Sequence, residues 1–238
     1  MSKKLIIACM ALVSLAAFAL PAVASAANKP TLVETPTSTE TLHVEPGSKI
    51  ISTNSGETFF WNTGATTKQV TCNKAVMTGT VLKNSEGTIE GEITSSIFQG
   101  TGAISADNNL PECTGSFGNA YVTVSTPMCI RSTPVMAEDE FQVTGGKCGT
   151  EGKVTFTIGS TTVGACKYLS TGPVKGTFTT NETETTLTVT NTNTASGAEL
   201  EEGGFFCPSS GQLQMSFHLW TDTKEGTEGT KIGAVKAP

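Results

Sequence analysis

The chain has 238 residues, and its 15 basic against 21 acidic residues give a formal net charge of −6. That balance argues against nucleic acid and anionic membrane surfaces as partners, because both attract basic patches. With two histidines in the whole chain, groups that exchange protons near neutral pH are scarce.

Residues 1–26 read as an export signal. Lys3 and Lys4 give a positive start, Leu5 to Leu20 an apolar run, and Ala24-Ser25-Ala26 a small-residue cleavage site. The run is too short, and its flanks wrong, for a spanning helix. Ile6-Ile7-Ala8-Cys9 loosely resembles a lipid-attachment box, but cutting there would leave almost no apolar segment for export. Residues 27–238 hold no other long apolar run, so no membrane span is expected and the mature protein is placed outside the cell. Loss of Lys3 and Lys4 takes the net charge to −8.

Residues 27–41 are rich in proline and threonine without periodicity, which predicts an extended linker. The closing residues 222–238, mostly Gly, Thr, Lys and Glu, predict a flexible tail. Between them the signal has period two. Val154, Phe156 and Ile158 alternate with Lys153, Thr155 and Thr157, and Leu213, Met215, Phe217 and Leu219 with Gln212, Gln214, Ser216 and His218. Antiparallel strands with one buried and one wet face read this way. No window outside the signal keeps helical spacing beyond about two turns. The fold class is all-β.

An internal repeat organises these strands. Gly64-Ala65-Thr66-Thr67 precedes Cys72, and Gly159-Ser160-Thr161-Thr162 precedes Cys166. Gly79-Thr80-Val81-Leu82-Lys83-Asn84 follows the first cysteine, and Gly176-Thr177-Phe178-Thr179-Thr180-Asn181 the second. A further cysteine closes each copy at the same separation of 41 residues, Cys113 and Cys207. Such self-similarity fixes architecture. It predicts two tandem, closely packed antiparallel β-sandwich-like halves, residues 42–131 and 132–221, joined near Ser132-Thr133-Pro134.

Cys9 leaves with the signal, and Cys72, Cys113, Cys129, Cys148, Cys166 and Cys207 remain. An even count in an exported chain reads as a disulfide set, with 15 possible pairings for six cysteines. Equivalence of the copies selects Cys72–Cys113 and Cys166–Cys207, which leaves Cys129–Cys148 to bridge the join. Metal binding needs Cys-x-x-Cys or nearby histidine spacing, and neither occurs. No metal or other cofactor is expected.

The segments CGTEGKVTFTIG, GPVKGTFTT and FFCPSSGQLQMSF, within residues 148–221, together resemble a group of exported actinobacterial-type proteins. The resemblance implies secretion and a β-rich, disulfide-bonded domain. It carries over no activity and no site residues.

Catalytic signatures are thin. No Gly-x-Ser-x-Gly, Ser-x-x-Lys, Asp-Thr-Gly or Asp-Ser-Gly motif occurs. His43 and His218 read as surface residues without a partner motif. Glu90 and Glu92 share the solvent face of one strand. The runs Glu138-Asp139-Glu140, Asp107-Asn108-Asn109 and Glu199, Glu201, Glu202 lack calcium-loop spacing. Thr186, Thr188, Thr190, Thr192 and Thr194 form a ladder that suits an exposed strand. Phe59, Trp61 and Trp220 are the candidates for a ligand surface, since exposed aromatic rings stack on sugars or anchor partners.

The expected function is therefore a secreted, non-catalytic protein of the cell surface or extracellular space, not an enzyme, which binds glycan, cell-wall polymer or a protein partner. The alternative is a secreted polysaccharide hydrolase, which needs two carboxylates facing each other across a cleft. A weaker third reading is a protease inhibitor built on a rigid disulfide-tied loop.

Overall fold

Runs with Thr, Val, Ile or Phe at every second position favour extended backbone, because branched and aromatic side chains pack well on a pleated surface. The computed structural model describes residues 30–34, 42–54, 56–61, 70–85, 87–104, 106, 109–133, 140–150, 152–160, 164–181, 184–190, 198–224 and 227–236. Its regular elements are all strands. In chain order they are β1 (Pro30–Glu34), β2 (Leu42–His43), β3 (Lys49–Asn54), β4 (Thr58–Trp61), β5 (Val70–Cys72) and β6 (Lys74–Ser85). There follow β7 (Thr88–Gln99), β8 (Cys113–Gly115), β9 (Gly118–Val124), β10 (Met128–Ser132), β11 (Glu140–Gly145) and β12 (Thr155–Ser160). The last are β13 (Gly164–Ser170), β14 (Val174–Asn181), β15 (Glu184–Thr190), β16 (Ala198–Glu202), β17 (Ser210–Lys224) and β18 (Thr227–Lys236).

Seven consecutive pairs, from β3 with β4 to β15 with β16, each behave as one long strand interrupted once, and the unbroken β17 is the eighth. Neighbouring long strands pair antiparallel at both ends. At one end the ring runs β3–β6–β7–β10–β11–β14–β15–β17 and back to β3. At the other it runs β4–β5–β8–β9–β12–β13–β16–β17 and back to β4. The fold is thus an up-and-down barrel of eight long strands, and closure removes the open edges that a flat sheet exposes.

Both expected halves are present and closely packed. Residues 42–131 supply the first four long strands and residues 132–221 the second four. Their edges pair at two seams, β9 and β10 against β12 and β11, and β17 against β3 and β4. The halves therefore share one continuous core. Within it Phe141 packs on Phe178 with ring centroids 4.9 Å apart, and Phe156 stacks on Tyr168 at 5.1 Å. The disulfides are Cys72–Cys113, Cys129–Cys148 and Cys166–Cys207, the pairs that the equal spacings select. Cys129 on β10 is tied to Cys148 just beyond β11, across one of the seams.

The two ends of the chain differ from the expectation of a linker and a mobile tail. Residues 30–34 form β1, which pairs along its whole length with β18, from Pro30↔Lys236 to Glu34↔Ile232. β1 also pairs with β2 through Val33↔His43 and Glu34↔Leu42. Composition suggested disorder, but Leu32, Val33 and Ile232 are all buried, and these few apolar side chains dock the segment on the barrel. Leu32 borders the same small void as Ile50, Val81, Ile89, Phe178 and Leu219, which come from five walls of the barrel. β1 therefore closes one mouth. Residues 35–41, 225–226 and 237–238 lie outside the described set, as does the expected export signal.

Candidate functional site

Between β16 and β17 the chain reads Gly203-Gly204-Phe205-Phe206-Cys207-Pro208-Ser209. Glycine and proline cannot extend the flanking strands through this stretch, so it turns. The Cys207 amide donates to the Gly204 carbonyl at 3.0 Å, and the Leu200 amide to the Ser209 carbonyl at 3.0 Å. The disulfide to Cys166 on β13 pins the turn to the barrel wall. Gly203 is required here: a Cβ at that position would lie 2.5 Å from the Cys207 sulfur.

This anchored turn carries Phe205 at 97% exposure and Phe206 at 70%. Their rings meet edge to face, with centroids 5.6 Å apart and planes at 83°. Isolated exposed apolar residues are ordinary, but adjacent large ones on a fixed turn mark contact surfaces. Beside the turn, β16 carries the exposed Glu199, Glu201 and Glu202. Lys167 of β13 reaches Glu201 at 2.8 Å and Glu202 at 3.6 Å. The hydrogen bond to Glu201, opposed by partial desolvation and helped by the charges of both carboxylates, raises the Lys167 ammonium above its ordinary pKa. Next to it, burial pushes the Tyr168 hydroxyl up to about 12. The result is an apolar wedge with an acidic margin.

The candidates read from the sequence are dispersed. Phe59 and Trp61 lie on β4, where they pair with Gln214 and Gln212 of β17, and their side chains fall outside the description. Trp220 lies within β17, which continues to Lys224. It is half-buried, its Nε1 donates to the Thr53 hydroxyl at 3.0 Å, and the Lys231 ammonium stands 5.1 Å over its ring. Those contacts occupy both its polar handle and one face. Nothing among the described residues brings Trp220 together with the Phe205 turn.

Glu90 and Glu92 share one side of β7, with Ile89 and Gly91 buried on the other. Glu90 pairs with Lys83 at 3.7 Å. Glu90 also approaches Cys129 and Cys148, but both sulfurs are held in their disulfide, so this trio offers no thiolate to a metal. Glu140 opens β11, while Glu138, Asp139, Asp107 and Asn108 lie outside the described residues. His43 is exposed on β2 and His218 half-buried on β17. Thr186, Thr188 and Thr190 sit on β15 opposite His218, Ser216 and Gln214, and Thr192 and Thr194 lie outside the description.

Inside the barrel is a cavity of about 60 Å³ bordered by Met77, Met128, Met215, Ile93, Phe141 and Phe217. A second, of about 30 Å³, lies beneath Leu32. Sequence reading missed both the interior and the turn. For the turn a signal existed: two phenylalanines framed by Gly-Gly and Cys-Pro cannot be strand core. For the cavity none did, because period two does not report how far apart facing walls stand.

Comparison with protein-family models, with curated proteins and with solved structures finds no match.

Proposed function

We propose that this chain is a secreted, non-catalytic binding protein that engages a protein partner through the turn at residues 203–209. The observation that carries the reading is the pair of nearly naked phenylalanines on a disulfide-anchored turn. Sugar recognition uses a ring face laid flat on the pyranose, whereas rings at 83° form a wedge. A wedge fits an apolar pocket on another protein, where aromatic anchors supply most of the binding energy. The acidic margin of Glu199, Glu201 and Glu202 favours a partner with a basic rim.

Three disulfides fit an oxidising extracellular setting, which supports removal of residues 1–26 on export. The hydrolase alternative draws less support, since Glu90 and Glu92 lie on one face of a single strand and Glu90 is paired to Lys83.

The test places a photo-crosslinking phenylalanine analogue at position 205 of the oxidised mature chain in the native secretome. The crosslinked partner is identified, purified and titrated against wild type and the double variant Phe205→Ser/Phe206→Ser. The expected result is at least a tenfold loss of affinity in the double variant. Equal binding by both, or retention on insoluble polysaccharide that ignores the substitutions, rules the turn out.

A further inference from the structure

The barrel interior holds two voids in series. On several walls, the residue that faces the smaller void stands two to four positions along the strand from one that faces the larger. Ser52 and Ile50, Met77 and Val81, Ile93 and Ile89, and Val174 and Phe178 are such pairs. At about 3.4 Å per residue the voids are separated by roughly 7 to 14 Å along the strands, which themselves tilt against the barrel axis. Ile130 borders both. A single side chain therefore divides what is otherwise one axial channel.

The two voids differ in chemistry: the smaller is bordered by Glu90, Arg131 and Ser132 as well as by apolar side chains, and the larger is almost wholly apolar. Among the described residues lining the larger void, Ser52 is the one polar side chain, and its hydroxyl turns away to the Met77 carbonyl at 3.4 Å. A water needs two to four polar partners to settle in a cavity, so this one stays dry. Three methionines, Met77, Met128 and Met215, stand around it. Unbranched thioether side chains swing aside at little cost and adapt to a guest of irregular shape. Eight-stranded barrels have an interior that side chains just fill or that admits one small ligand.

We propose that the barrel interior binds a short, unbranched, uncharged hydrocarbon chain. The chain lies along the barrel axis through both voids, with Ile130 turned aside. Its entry is the mouth closed by Leu32 of β1, because that residue roofs the smaller void. Straight chains fit better than rings, since the channel is long and narrow and the larger void alone measures about 60 Å³. The site is independent of the Phe205 turn, and neither reading requires the other.

The test uses the oxidised full mature chain with its methionine methyl groups labelled with carbon-13, exposed first to n-hexane vapour and then to xenon under pressure. Saturable hexane-induced shifts at Met77, Met128 and Met215, with a rise in Tm, are the expected result. Val174→Phe, which fills the channel, should abolish the shifts, and Phe141→Leu, which widens it, should strengthen hexane binding several-fold. Should one variant fail to fold, the other still reads the site. Methyl resonances that move with xenon but not with hexane mark a packing void only and overturn the proposal. So do shifts that never saturate, or that persist unchanged in a folded Val174→Phe protein.

Discussion

Asn84 of β6 holds both backbone groups of Leu32, 52 residues earlier in the chain. The Leu32 amide donates to the Asn84 side-chain oxygen at 2.9 Å, and the Asn84 amide donates back to the Leu32 carbonyl at 2.7 Å. The same Asn84 amide also donates to the Val44 carbonyl at 2.9 Å. One buried side chain thus ties β1 and the residue after β2 to β6.

Asn84→Ala should strand the Leu32 amide and the Val44 carbonyl in an apolar setting, while the Leu32 carbonyl keeps the Val44 amide at 3.1 Å; each unmet partner costs about 1–3 kcal/mol. A loss of about 2–4 kcal/mol is expected from urea unfolding. Amide exchange at Leu32 should accelerate more than exchange at Ile51, which lies in the barrel wall. Asn84→Asp keeps the acceptor and loses both donated bonds, so it should not rescue.

Gly145 closes β11 where the chain leaves the barrel for residues 146–153. A Cβ there would lie 2.0 Å from the Lys153 carbonyl oxygen, which is backbone and cannot swing away. Gly145→Ala should therefore cost at least about 2 kcal/mol by forcing a backbone shift. Calorimetry would read this as a fall in Tm, and an unchanged Tm would show that the excursion relaxes freely.

Tyr168 sets an alkaline limit. Its hydroxyl ionises near pH 10 in the unfolded chain and near 12 in the folded protein, because burial disfavours the anion. Between those values the folded state binds more protons, so stability falls as pH rises. The contribution is present in full below about pH 10 and lost by about pH 12. Chemical denaturation across that window should show a fall in wild type that is smaller in Tyr168→Phe.

The Cys72–Cys113 bridge encloses a separation of 41 residues, and both sulfurs are buried. Loop-closure entropy for such a ring amounts to about 4 kcal/mol. The double variant Cys72→Ala/Cys113→Ala should lose an amount of that order, read from the denaturant midpoint. Phe205→Ser/Phe206→Ser gives the contrasting expectation. These rings touch mainly solvent and each other, so stability should change by less than about 0.5 kcal/mol. A larger loss would mean that the turn supports the fold.

Much of this architecture was legible in the residues. Alternation at Val154 to Ile158 and Leu213 to Leu219 marked strands, and those apolar positions are buried. Equal cysteine spacing marked the two long disulfides. The readings that failed were compositional. Thr31-Leu32-Val33 looked like linker because two apolar residues carry no period, yet both are buried, Leu32 at the mouth of the barrel. Thr227 to Lys236 looked mobile because its glycines and threonines hide the buried Ile232. The aromatic candidates were chosen by residue type, and Trp220 is engaged with Thr53 and Lys231.

By itself the sequence determined that the chain is all-β and that its strands carry one apolar face, because period is a local property of the residues; the equal cysteine spacings pointed to a pairing that the structure then decided. Only the tertiary structure decided that the two halves close into one barrel. Period two tells which side chains share a face, and it is silent on which edges meet and how wide a space they enclose. Ring closure, the cap of Leu32 held by Asn84, the axial channel beneath it and the exposure of Phe205 all depend on contacts between residues far apart in the chain.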